Sequence, residues 1–149
     1  MLAAPPPART ARCRLDLDPN VPYKVLLNRS GYSCVVEIKK LPAAFYCMAS
    51  GKEPVREWLK ALDEVDRRIV GQDIATAEFG WPVGMPVCRS LGKGLWEVRS
   101  DISQGRITRV IFCVEGEKMV LLHAFIKKTQ KTPKTDLDLA LKRKKEVSA

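Results

Sequence analysis

Hydrophobic patterning predicts an α+β protein, an antiparallel sheet with a helical hairpin packed on one face, in the order β-α-α-β-β-β-α. Three observations predict it. Between Pro54 and Gly80 two adjacent segments repeat their apolar residues at helical spacing. Between Gly94 and Ile126 three β-branched or aromatic runs are separated by turn-forming residues. After Thr132-Pro133 helical spacing returns.

Residues 1–32 combine a proline run with alanine and arginine and show no apolar period, so they are expected to form an unpacked tail, with the domain over 33–149. This segment lacks the apolar core of a secretory signal. Ser33 to Leu41, SCVVEIKKL, is β-branched and stops at Pro42, which predicts the first strand of the sheet. Pro54 opens a helix whose Val55, Trp58, Leu59 and Leu62 share a face. A second helix is expected from about Asp63, burying Val65, Ile69, Ile74 and Ala77 and ending at Gly80, because Pro82, Gly84 and Pro86 forbid its continuation. GLWEVRS (94–100), RITRVIFCV (106–114) and MVLLHAFI (119–126) then form a meander turned by SQG and EGE. Leu137, Ala140 and Leu141 give the C-terminal helix its apolar face.

The chain has 149 residues, enough for one domain with a real core, and no apolar run approaches the roughly 20 residues of a membrane span. A soluble cytoplasmic protein with no membrane partner is expected. Five cysteines are scattered without a CxxC pair and there is one histidine, which predicts reduced thiols and neither metal nor cofactor. No P-loop or GxSxG elbow is present. Gln72–Gly80 faintly resembles the start of a helix-turn-helix, but the following WPVGMP cannot be a recognition helix. The formal charge of +9 favours nucleic acid or acidic protein partners.

Sheet parity sharpens that inference. If Trp96, Val98, Val110, Phe112, Val120, Leu122, Ala124 and Ile126 face the helices, the opposite face takes Glu97, Arg99, Arg109, Ile111, His123, Phe125 and Lys127. Cations for phosphate and a ring for stacking suit single-stranded RNA. Two readings stay open: an RNA-cleaving face, or surface ion pairs of Arg99 and Arg109 with Glu97 and Asp101. His123 is likewise open between a general acid or base and a structural residue. From Lys127 to Glu146 there are eight lysines and arginines against three acids, a charge run that also suits a solvated helix. Cleavage by the RNA's own 2′-hydroxyl needs a base, cations on the phosphorane and an acid for the leaving oxygen, all available from such side chains without a metal.

The blocks GKEPV with Trp58-Leu59, FGWPVGMP (79–86), GLWEVR (94–99), RVIF (109–112) and LLHAFIKKTQKTP (121–133) resemble the phage-derived HigB-like branch of the RelE/ParE toxin superfamily. The resemblance covers about residues 35–146, and the last block is its most specific part. It implies a RelE-like fold and a toxin of a type II toxin–antitoxin system, a metal-independent endoribonuclease acting on ribosome-bound mRNA. It also implies neutralisation by a cognate antitoxin of helix-turn-helix type. By position it implies basic groups at Arg99, Arg109 and Lys127-Lys128. Catalysis is accordingly expected from Arg99, Arg109, His123 and Lys128, and RNA binding from Arg89, Lys93, Phe125, Lys127 and Lys131. Relatives of this kind often carry a later Tyr or His, absent here, which leaves the general base between His123 and a lysine. The same fold in ParE-like proteins inhibits DNA gyrase and cuts nothing, and an inactive phage remnant is a further alternative. Convergence of Arg99, Arg109, Lys128 and His123 on an open groove favours the enzyme; a buried His123 and acid-paired arginines favour the binding module. On the enzyme reading, Arg109→Ala should abolish activity and leave the fold intact.

Overall fold

The computed structural model describes residues 23–27, 34–128 and 130–149. The elements are β1 (Tyr23–Leu27), β2 (Cys34–Ile38), β3 (Ala43–Phe45), α1 (Pro54–Ala61), α2 (Glu64–Gly80), β4 (Cys88–Gly92), β5 (Leu95–Asp101), a short 3-10 turn (Ser103–Gly105), β6 (Ile107–Glu115), β7 (Lys118–Ile126) and α3 (Lys134–Val147). The result is the α+β architecture expected: a five-stranded sheet in the order β3-β7-β6-β5-β4, with α1 and α2 on one face.

Several details depart from expectation. The strand expected over 33–41 is not the first strand of this sheet. β2 pairs with β1 in a separate two-stranded sheet, and β3 takes the edge beside β7 instead. Pro42 separates the two runs; its carbonyl accepts from Met119 N at 2.8 Å, and Leu41 N donates to the Glu78 carbonyl at 3.0 Å. Because β3 runs parallel to β7, the sheet is mixed rather than wholly antiparallel. β4 adds a strand that no apolar alternation announces, formed by pairing with β5 across a turn in which Gly92, Lys93 and Gly94 all take positive φ. Within the tail expected over 1–32, β1 is described, and residues 1–22 and 28–32 lie outside the described residues.

A further departure lies in the first turn of α2; beyond it Ile74 and Ala77 are buried and Ile69 packs against the core, as expected. Val65 is 65% exposed, and Asp66 at 1% takes the buried stripe with Val70, Ile74 and Ala77, at steps of four, four and three residues. That stripe packs with Val55 of α1 on Val98, Val110, Phe112, Met119, Leu121 and Ala124 of the sheet.

The opposite face is not open. α3 lies over it, and Leu137, Ala140, Leu141 and Val147 pack on Leu95, Ile111, Cys113, Val120 and Leu122. Val120 and Leu122 were expected toward the hairpin; a β-bulge reverses them. Ile111 pairs with His123 but Phe112 pairs with Leu121, so Leu122 is an extra residue on β7 and parity flips for everything before it. Ala124 lies beyond the bulge and faces the hairpin as expected.

Candidate nucleic-acid interface

The end of the sheet away from the β4–β5 turn carries the basic residues. Arg99 of β5, Arg109 of β6 and Phe125 of β7 stand in register, and the next row on the same face is Glu97, Ile111 and His123. Arg89 on β4 lies opposite Glu97. Lys127 continues β7 by two residues past Phe125, its N–H donating to the Ile107 carbonyl at 2.7 Å. β-sheet alternation therefore gathers Arg99, Arg109, Phe125 and Lys127, as parity expected, and the unexpected strand β4 adds Arg89.

Their environments differ. Arg109 is buried: its Nη1 lies 3.0 Å from Glu97 Oε1 in a pair whose side chains are 4% and 2% exposed. The same nitrogen donates to Thr132 Oγ1 at 2.6 Å, Thr132 donates to Glu97 Oε2 at 3.1 Å, and Nη2 reaches the Gln130 carbonyl at 3.5 Å. Arg109 thus pins the segment after β7 to the sheet. Arg99 is partly exposed, with Asp101 at 3.7 Å, a distance at which solvent screens most of the attraction.

Lys127 is the chemically distinctive group. Partial burial, then the charges of Arg109 and Arg99, push its ammonium below the ordinary lysine value; Glu97 opposes this and Arg89 adds to it. Lys127 also lines an open cavity of about 450 Å³ with Gly105, Arg106, Ile107, Lys128 and Gln130. Lys128 is exposed at its edge.

His123 does not join this group. Its Nε2 lies 2.6 Å from Asp136 Oδ1 of α3, with 17% of its side chain exposed, and its ring stacks on Phe125 at 5.6 Å between centroids. Phe125 is thereby committed to one partner on its inner side. Lys93 is also apart: it sits in the β4–β5 turn at the opposite end, its carbonyl accepting from Lys144 Nζ at 2.7 Å. Lys131 is exposed in the segment leading to α3.

Three residues at this end escaped sequence reasoning. Arg106 falls outside the strand alternation, at the close of the 3-10 turn, yet lines the cavity. Thr132 looks like a helix-start residue and bonds across to β5 and β6. Asp66 sits inside a helix beside a more hydrophobic Val65, and only its partners explain its burial: Ser103 N and Oγ at 3.0 Å each and Arg106 Nη2 at 2.7 Å. Those bonds to Ser103, with the Arg106 charge, hold the Asp66 carboxyl below its ordinary value.

Among the described residues no cluster of His, Cys, Asp and Glu has the composition of a metal site, and no helix is long and apolar enough to cross a membrane. No curated protein matches the chain. A family model described as phage derived protein Gp49-like (DUF891) matches residues 57–145, from α1 through α3 and including every basic residue of the interface. The match covers more than half of the chain, and the protein belongs to the phage-derived Gp49-like family.

Proposed function

We propose that this chain is the toxin of a type II toxin–antitoxin pair and cleaves messenger RNA on the ribosome. The observation that carries the reading is Lys127: a lysine beside an open cavity, its ammonium lowered by burial and by Arg109 and Arg99. A lysine so placed has a larger neutral fraction near physiological pH than a solvated one and serves as general base. Lys127 takes the proton of the 2′-hydroxyl, whose oxygen attacks the adjacent phosphorus. Arg99 and Lys128 carry the charge on the phosphorane oxygens. The bond to the 5′-oxygen breaks, that oxygen takes a proton from Lys128, and a 2′,3′-cyclic phosphate remains. His123 has no part in this scheme, since Asp136 holds it beneath α3. A cognate antitoxin, helix-turn-helix in type and acidic where it covers the cavity, neutralises the +9 chain.

The experiment supplies antitoxin-free protein with translating ribosomes and end-labelled mRNA. Cleavage that disappears in Lys127→Met, with the thermal transition unchanged, supports the reading. A second reading, a ParE-like inhibitor of DNA gyrase, is favoured by the ion pairs Arg109–Glu97 and Arg99–Asp101 and by the engaged His123. Intact mRNA together with blocked supercoiling by gyrase selects that second reading.

A further inference from the structure

We propose that Asp66 is a positioning residue of the RNA groove: buried on α2, it fixes the Arg106 guanidinium at the groove so that the free part of that group meets a substrate phosphate. The proposal rests on the ribonuclease reading and adds to it a residue from the opposite side of the sheet.

A carboxylate at 1% exposure on the apolar stripe of a helix is costly unless its oxygens are satisfied. Here they are, and all by one turn. Oδ1 accepts from Ser103 N, and Oδ2 accepts from Ser103 Oγ and Arg106 Nη2. Ser103 in turn holds the same arginine, its carbonyl accepting from Arg106 Nε at 3.1 Å and its hydroxyl lying 3.1 Å from Nη2. Between them Gln104 takes φ 61°, the left-handed region that a residue with a side chain enters only where its surroundings hold it. Nε and Nη2 of Arg106 are thus fixed, while Nη1 has no partner among the described residues. The side chain remains 34% exposed and lines the cavity shared with Lys127 and Lys128.

Capping the turn would need Ser103 alone. Holding two nitrogens of an arginine that lines a basic cavity suits phosphate recognition, because a long cationic side chain otherwise loses its rotamer freedom on binding. The carboxylate works against binding by charge and in favour of it by geometry, and the two effects predict opposite signs for Asp66→Asn.

The test is binding of a labelled single-stranded 2′-O-methyl RNA, which cannot be cleaved, followed by anisotropy over a salt series. Arg106→Gln should weaken binding roughly tenfold, the loss of one charge-assisted hydrogen bond, and lower the salt slope by roughly 0.7, the value for one phosphate on a single strand. Asp66→Asn should weaken binding severalfold despite adding to the net positive charge, and should cause no further loss in the Arg106→Gln background. Equal or tighter binding by Asp66→Asn, or an undiminished loss in the double variant, overturns the proposal. Arg106→Lys keeps the charge without the two-point hold, and covers the case in which Asp66→Asn does not fold. It should keep the wild-type salt slope and weaken binding severalfold, as Asp66→Asn does, and affinity equal to the wild type overturns the proposal. Wild-type protein that binds no RNA overturns the ribonuclease reading itself, and this inference with it; normal wild-type binding with a normal Arg106→Gln sinks this inference alone.

Discussion

Replacing Glu97 by Leu removes the acid from a pair that has almost no solvent to fall back on. Arg109 and Glu97 are 4% and 2% exposed with a closest approach of 3.0 Å. At an effective dielectric of about 20 that separation corresponds to a gross attraction of roughly 5 kcal/mol, most of it offset by the desolvation of two charges. Loss of one partner does not remove the desolvation of the other. Arg109 would remain buried with only Thr132 and the distant Gln130 carbonyl, and its Nε already lacks a partner. The expected destabilisation is about 3–5 kcal/mol, which for a domain of this size lowers Tm by roughly 10–20 °C. Arg109→Ala behaves likewise, stranding Glu97, so the sequence-based expectation that this variant leaves the fold intact is revised. Glu97→Leu with Arg109→Met fills the space with apolar groups and should recover most of the loss. Calorimetry on the two single variants and the double variant gives the answer. Single variants within about 3 °C of the wild type, or a double variant no better than the worse single, would refute the account of a buried, mutually dependent pair. The recovered double variant should still fail to cleave RNA, because Arg109 no longer ties Gln130 and Thr132 to the sheet.

Lys127 carries a pH prediction: with its folded value lowered, the cleavage rate should climb with pH and level off below the ordinary lysine value of 10.5. The unfolded chain binds more protons there in the window between the two values, so stability should also rise with pH across it. Lys127→Arg, which stays charged, should abolish both rises, and a persisting rate increase would count against Lys127 as the base. His123→Gln should retain cleavage while costing about 1 kcal/mol of stability through the lost tie to Asp136; abolished cleavage at unchanged stability would return catalysis to the histidine. In a Cys13→Ser, Cys34→Ser background, exposed Cys47 should react at once with a thiol reagent. Buried Cys88, its thiol pushed up to about 11 by burial and by Asp73, and Cys113, also raised by burial, should react only on unfolding. Three equally fast thiols would show that this core is open.

By itself the sequence determined the helices and the meander. Val55, Trp58, Leu59 and Leu62 share a face only as a helix, Pro54 and Gly80 bound the hairpin, and Thr132-Pro133 precedes α3. It also determined that Arg99, Arg109, Phe125 and Lys127 share a sheet face, since alternation is a local property of extended backbone. Tertiary structure alone decided what covers that face. Nothing in a run of residues 134–147 says which side of a sheet its apolar stripe will meet, and α3 took the side that parity had left open. The bulge at Leu122 is a property of two strands together, so single-strand periodicity placed Val120 and Leu122 on the wrong side. Asp66 is the clearest case. Hydropathy favours burying Val65, and the first turn of the helix buries a charge instead, because Ser103 and Arg106, almost forty residues along the chain, satisfy every oxygen it hides.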